Sequence, residues 1–265
     1  KTKDMNTKLE TLAPSGIWNN FKSLTQIPRP SKKESRVVEF IKSFGEKLGL
    51  ETIVDAVGNI VIRKPATPGM ENRKGVVFQS HVDMVPQKNS DKKHDFEKDP
   101  IEAYIDDEWV KANGTTLGAD NGIGVAAMMA VLESKDLQHG PVECLFTIDE
   151  ETGMTGAFAL KPGMLKGDIL MNLDSEHEGE LFIGCAGGMD GNIEFDYVAD
   201  KVPEGYVPFL VKATGLKGGH SGLDIHMGRG NSNLVLIRLL RKAEEKTGLR
   251  LCEFEGGNMR NAIPR

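Results

Sequence analysis

With 265 residues and a formal charge of −6, the chain is long enough to bury a sizeable core and too acidic for a general binder of nucleic acid or anionic membrane, since both rest on clustered Lys and Arg. Hydrophobic residues at 39% and charged residues at 27% exclude global disorder. There is no apolar run of about 18 residues, and the polar start Lys1-Thr2-Lys3-Asp4 lacks the apolar centre of a secretory signal, so a soluble, cytoplasmic protein is expected.

Ser15 predicts a helix running to about Leu24. Ser31-Lys32-Lys33-Glu34 reads as a capping box opening a second helix, whose apolar positions Val37, Val38, Ile41, Phe44 and Leu48 fit a 3.6-residue period before Gly49 stops it. Residues 52–54 and 59–62 read as strands around the turn Ala56-Val57-Gly58, and residues 75–79 as a buried strand feeding His81. A charged, exposed loop spans residues 86–100. A helix over 122–134, a strand over 142–148, a short helix near 156–160 and a strand over 169–173 complete an alternation that predicts an α/β sheet with helices on its faces. Ligands gather at the carboxyl edge of such sheets, where His81, Glu150 and Asp174 would emerge. Past Gly184-Cys185-Ala186-Gly187-Gly188 the pattern changes to strands at 193–195 and 209–211 and an amphipathic helix through Leu234, Leu236, Ile237, Leu240 and Ala243, which places a domain boundary near Gly187. The cysteines Cys144, Cys185 and Cys252 are odd in number, far apart and in apolar or strand-like settings. They are predicted to be buried free thiols, so any metal would need histidine and carboxylate ligands.

Four such clusters each follow a short apolar segment. In His81-Val82-Asp83, residues two apart on a strand face the same side, so Asp83 can accept the second ring N–H of His81 while the other nitrogen binds metal; a plain buried hydrogen bond is the alternative. Glu150 and Glu151, at a strand-to-loop turn, can diverge into one cavity, one binding metal and the other taking a proton, or they can form a solvated acidic turn favouring a helix N-terminus. Asp120 suits either a carboxylate bridging two cations or an N-cap, and Asp174 either a ligand or a turn cap. Carboxylate and imidazole are what Zn²⁺ takes when cysteine is absent. Gly122-Ile123-Gly124-Val125-Ala126-Ala127 matches the Gly-x-Gly-x-x-Ala dinucleotide fingerprint of nicotinamide-dependent oxidoreductases. That fingerprint should follow a buried strand immediately, whereas here Asp120 puts an anion where pyrophosphate would sit, and the reading is set aside. His220, in Gly218-Gly219-His220-Ser221-Gly222, is either a donor to a developing oxyanion or a surface histidine in a glycine-rich turn, while His94, His139, His177 and His226 are read as structural or exposed.

Taken in order, His81-Val-Asp83, Gly-Ala-Asp120-Asn-Gly, Asp149-Glu150-Glu151-Thr-Gly, Asn172-Leu-Asp174-Ser-Glu176 and Gly-Gly-His220-Ser-Gly resemble the M20 family of di-zinc peptidases and aminoacylases. The likeness runs from about Ile17 to the end and, through residues 114–122 and 184–189, leans toward the family's bacterial dipeptidases acting on Xaa-His. The resemblance implies a catalytic domain over residues 1–187, with a mixed sheet flanked by helices, and part of an α+β lid and dimerisation domain over 188–265. It implies two Zn²⁺ per complete subunit, with Co²⁺ or Mn²⁺ as substitutes: one held by His81 and Asp174, the other partly by Glu151, and Asp120 bridging them. Glu150 would be the general base, Asp83 would orient His81, and the Asp120–Asn121 peptide would be cis. His220 and Asn261 match lid positions that contact substrate. The expected substrate is a dipeptide and the expected partner a second subunit docked through the lid, whose histidine can serve the partner's site; neither nucleic acid nor membrane is expected. The family's last zinc ligand is a histidine further along a longer chain, and no histidine follows His226. The sequence is therefore expected to be a fragment whose second zinc lacks a ligand and whose own activity is in question. An aminoacylase or other amidohydrolase on the same scaffold, or a catalytically incomplete metal-binding or dimerisation module, remain as alternatives.

Overall fold

A computed structural model describes residues 8–175, 177–185, 187, 189, 191–257 and 259–265; Glu176, Ala186 and Gly188 of the motifs above lie outside the described residues. The chain divides into two compact units, residues 1–187 and 188–265.

The first unit is built on a five-stranded mixed sheet. Its strands are β1 (Glu51–Val54), β2 (Ile60–Lys64), β3 (Val76–His81), β6 (Val142–Thr147) and β7 (Ile169–Asn172), in the spatial order β1-β2-β6-β3-β7. β1, β2 and β6 pair antiparallel, and β6, β3 and β7 run parallel. All six residues of β6 are buried, which is why its sequence reads as a nearly continuous apolar run rather than an alternation. The covering helices are α1 (Ser15–Thr25), α2 (Ser35–Lys47) and α3 (Ala119–Glu133), and two short helices, α4 (Glu150–Gly153) and α5 (Thr155–Phe158), follow β6. Val125, Met128, Met129 and Leu132 of α3 join Phe21 and Leu24 of α1, Val37 and Ile41 of α2, and Ile60, Ile62, Cys144 and Phe146 of the sheet in one core.

Glu143 is a buried charge on the central strand, and it is held on both oxygens. Arg63 Nε donates to Oε1 at 2.8 Å, while the Lys166 and Gly167 amides donate to Oε2 at 2.6 and 2.7 Å. Burial alone would raise the Glu143 pKa, but these donors outweigh it and hold the carboxyl below its ordinary value. A depressed folded-state pKa gives stability that is complete above the unfolded value of about 4.3 and disappears as pH falls through the folded value. Glu143→Gln is therefore expected to cost about 1.5–3 kcal/mol at neutral pH. Urea titrations should show the gap to the parent protein closing in acid, and a gap independent of pH would contradict this.

The structure departs from the sequence reading in four places. α2 begins at Ser35, not at the Ser31 box, because the box residues are drawn elsewhere: Ser31 Oγ donates to Asp83 Oδ2 at 2.8 Å, and Glu34 Oε1 accepts from the Lys32 and Asp149 amides at 2.8 and 3.2 Å. A two-stranded hairpin, β4 (Ala103–Asp106) with β5 (Trp109–Ala112), stands where no strands were expected, turning at Asp107, whose φ is 59°. In the second unit the strands expected at 193–195 and 209–211 do not form among the described residues, and Ile193, Phe195, Phe209 and Leu210 are exposed. β-rich composition does not make a strand without a partner for its ladder. Of the three cysteines only Cys144 is buried, and burial pushes its thiol pKa up; Cys185 and Cys252 are exposed, because the segments around them pack against no core among the described residues. The main element of the second unit is α6 (Ser232–Thr247), capped by the Asn231 side chain, which accepts from the Leu234 amide at 3.1 Å. No helix among the described residues is long and apolar enough to cross a membrane.

Candidate metal centre

The parallel register of β6, β3 and β7 assembles the site. His81 ends β3 opposite Thr147, two residues before Asp149, and Gln79 lies opposite Asn172, two residues before Asp174. Three strand exits therefore open at one sheet edge. The His81 ring is 1% exposed; its Nε2 is 3.0 Å from Asp120 Oδ1 and 3.5 Å from Asp174 Oδ1. The donor atoms of His81, Asp120 and Asp174 lie within 4.8 Å of one another, and so do those of His81, Glu150 and Glu151.

The carboxylates of this cluster favour a positive charge at its centre. Burial alone would lower the His81 pKa, yet the carboxylates Asp120, Asp174 and Asp83 push it up to about 12. His81 in turn holds Asp174 below the ordinary carboxylate range despite its burial. Burial, then the charge of Asp120, raises Glu151 to about 7, and burial raises Glu150. One imidazole amid convergent carboxylates is the donor set that Zn²⁺ and similar divalent ions take, and a metal ion would replace the proton that the ring otherwise keeps. The residues present fit such an ion.

Asp83 holds the arrangement together and is fully buried. Its Oδ1 lies 3.2 Å from His81 Nδ1, close but not aligned as a hydrogen bond, so the orienting contact expected of this pair is electrostatic. Its strongest bonds go elsewhere. The Glu150 amide donates to Oδ1 at 3.0 Å, the Glu151 amide to Oδ2 at 3.3 Å, and Ser31 Oγ also to Oδ2. Both glutamates thus start the short helix α4 (Glu150–Gly153) with their backbone fixed on Asp83. The preceding Asp149 adopts a left-handed φ of 52°, and its carboxylate accepts from the Thr152 and Thr155 hydroxyls, which turns the chain back toward His81. The Asp120–Asn121 peptide is cis, and Asn121 Nδ2 donates to Asp174 Oδ1 at 2.6 Å.

The Gly-x-Gly pattern of the dinucleotide fingerprint has a packing cause. A Cβ at Gly122 would sit 2.5 Å from Arg29 Nη2, and one at Gly124 would sit 2.1 Å from Asn121 Oδ1. These glycines admit side chains of the protein itself. Beside Glu150 and Asp174 a cleft opens whose apolar wall includes Met154, Leu160 and Leu170.

Six of the residues expected at the site, His81, Asp83, Asp120, Glu150, Glu151 and Asp174, thus meet in the first unit. The other two meet in the second unit. His220 forms a bridge with Ala262, the Ser221 amide donates to Asn261 O at 2.7 Å, and the Ile263 amide donates to Gly219 O at 2.7 Å. His220 Nδ1 accepts from the Gly222 and Leu223 amides at 3.0 and 3.1 Å, which puts the proton of a neutral ring at Nε2. Sequence reasoning missed Arg29, read Ser31 and Glu34 only as a helix start, and named Asn121 and Asp149 within motifs without giving their side chains a role. The roles of Arg29, Ser31 and Glu34 come from bonds across the fold, whereas Asn121 and Asp149, next to Asp120 and Glu150, carried a local signal.

The profile of Peptidase family M20/M25/M40 matches residues 77–247. The chain is 53% identical over 259 residues to the cytosol non-specific dipeptidase of Escherichia coli (strain K12), which covers 98% of this chain and 53% of that protein. It is similar to the crystal structure of aminoacylhistidine dipeptidase from Vibrio alginolyticus, with a TM-score of 0.67 at 51% identity over 97% of this chain and 53% of that one. Aminopeptidase PepT from Bacillus cereus ATCC 10987 shares the fold, with a TM-score of 0.53 at 21% identity over 94% of this chain and 63% of that one. The chain spans about half the length of the E. coli and Vibrio proteins. A family match over that span, on a sheet edge that gathers one imidazole and its carboxylates, makes the chain a member of peptidase family M20/M25/M40.

Proposed function

We propose that this chain supplies the metal centre and part of the lid of a cytoplasmic dipeptidase, with residues 1–187 as the catalytic part and 188–265 as lid and dimer contact. The observation that carries the proposal is the buried His81, ringed by carboxylates whose oxygens converge within ligand distance of its ring, with Glu150 beside it. The names of the E. coli and Vibrio relatives support a dipeptide substrate, Xaa-His included, and the former's name supports the cytosol. In this reading His81 and Asp174 would hold one Zn²⁺, Glu151 would help to hold a second, and Asp120 would serve both, with Co²⁺ or Mn²⁺ able to substitute. When bound, such ions polarise the peptide carbonyl and acidify the attacking water.

The rest is done by the chain's own groups. Glu150 takes the proton of that water and returns it to the leaving amine; burial, which raises its affinity for a proton, suits it to both steps. Asp83 fixes the Glu150 amide and so the direction of its side chain. His220, with its proton on Nε2, donates to the developing oxyanion, and Asn261 contacts substrate, in a homodimer formed through the lid. The apolar-walled cleft offers room for a substrate side chain.

The test is amino-acid release by the longest natural form of the chain, with added Zn²⁺, from a dipeptide panel that includes Xaa-His and from acetyl-amino acids. Release from dipeptides is the expected result. Release of acetate alone would replace the reading by an aminoacylase, and no release from folded, zinc-loaded protein would leave a non-catalytic metal-binding role.

A further inference from the structure

We propose that Arg29 is a positioning residue of the metal centre, locking the turn that carries Asp120 to the strand exit that carries His81 and Asp83. The inference rests on the metal-centre reading above. Arg29 is 2% exposed, in a segment that pairs with the chain just beyond β3: Pro30 bridges Met84, and the Met84 amide donates to Arg29 O at 3.1 Å. Its side chain then reaches across. Nη1 donates to Val82 O at 2.8 Å and to Asp83 O at 3.1 Å, while Nη2 donates to Gly118 O, two residues before Asp120.

Two sides of the site are thus joined through one rigid fork. The room for it is built in, because a Cβ at Gly118 would lie 2.6 Å from Arg29 Nη2 and one at Gly122 would lie 2.5 Å from it. Gly118 also has a φ of 72°, so its carbonyl reaches the guanidinium from a backbone conformation that L side chains rarely adopt. Among the described residues the guanidinium donates to backbone carbonyls and to no carboxylate. Burying a guanidinium without an ion-pair partner is costly unless its geometry is used. Burial lowers its pKa to about 10, with Asp83 and Asp120 opposing, so the side chain still carries its charge at neutral pH behind the carboxylate cluster.

A lysine ammonium is a point donor that cannot span three carbonyls on two segments as the planar fork does. Arg29→Lys keeps the charge and most of the volume but loses the span. In the longest natural form loaded with Co²⁺, Arg29→Lys is expected to change the visible d–d absorption and to weaken Co²⁺ by about 10–100-fold in chelator competition, the usual scale for groups that orient ligands. Arg29→Met should do at least as much, with circular dichroism confirming that each variant is folded. A folded Arg29→Lys protein with the parent spectrum and affinity would overturn the proposal. Failure of both variants to fold would also overturn it, making Arg29 a residue of stability alone. Absence of Co²⁺ binding by the parent protein would instead overturn the metal-centre reading beneath it.

Discussion

Glu150→Gln is expected to leave metal binding unchanged and to lower dipeptide turnover by about 10²–10⁴-fold, the range for removing a general acid–base group. Glutamine matches glutamate in shape, and the backbone of residue 150 is fixed on Asp83 through its amide, so the substitution removes the proton carrier and leaves the site's geometry in place. Metal content and kcat, measured together on the longest natural form, separate the outcomes. Unchanged turnover would remove Glu150 from the proton path, and loss of metal along with turnover would make it a ligand.

Asp83→Asn is expected to damage both the fold and the site. The carboxylate is fully buried and accepts from the Glu150 amide on one oxygen and from the Glu151 amide and Ser31 hydroxyl on the other. Asparagine has one acceptor and one donor group, so in either orientation an N–H meets a backbone N–H. One buried amide loses its acceptor, which costs about 1–3 kcal/mol. The charge facing His81 Nδ1 at 3.2 Å is lost as well, and both glutamates lose their shared anchor. Zinc affinity should fall by about 10–100-fold. Chemical denaturation of the metal-free protein and competition with a chromophoric chelator measure the two effects separately; unchanged affinity would show that Asp83 supports the fold without tuning the centre.

The parts of the architecture legible in sequence were those with a local cause. β6 was readable because a strand buried on both faces reads as a nearly continuous apolar run, broken here by Glu143, and the acidic and histidine clusters stood out because each follows a short apolar stretch of sequence. Their meeting at one edge followed from parallel strands sharing a carboxyl end. Hidden were the contacts that reach across the chain. Arg29 acts on Gly118, 89 positions away, and Glu34 on the Asp149 amide, 115 positions away, with no periodicity to announce either. Ser31 shows how a correct local pattern can be diverted: its box suits a helix start, but a buried carboxylate at Asp83 is the stronger acceptor. The hairpin of β4 and β5 was missed because its four-residue strands are too short for their alternation to stand out in the sequence.

On the reading proposed above, His81, Asp120, Asp174 and Glu151 would hold the metal ions of a hydrolytic centre. Anomalous scattering at the zinc edge, from crystals of the longest natural form grown with Zn²⁺, tests it directly. Two zinc peaks are expected, one against His81 Nε2 and Asp174, the other against Glu151, with Asp120 near both. Zinc bound elsewhere, or none at these residues in crystals of protein that still releases amino acids from dipeptides, would contradict it.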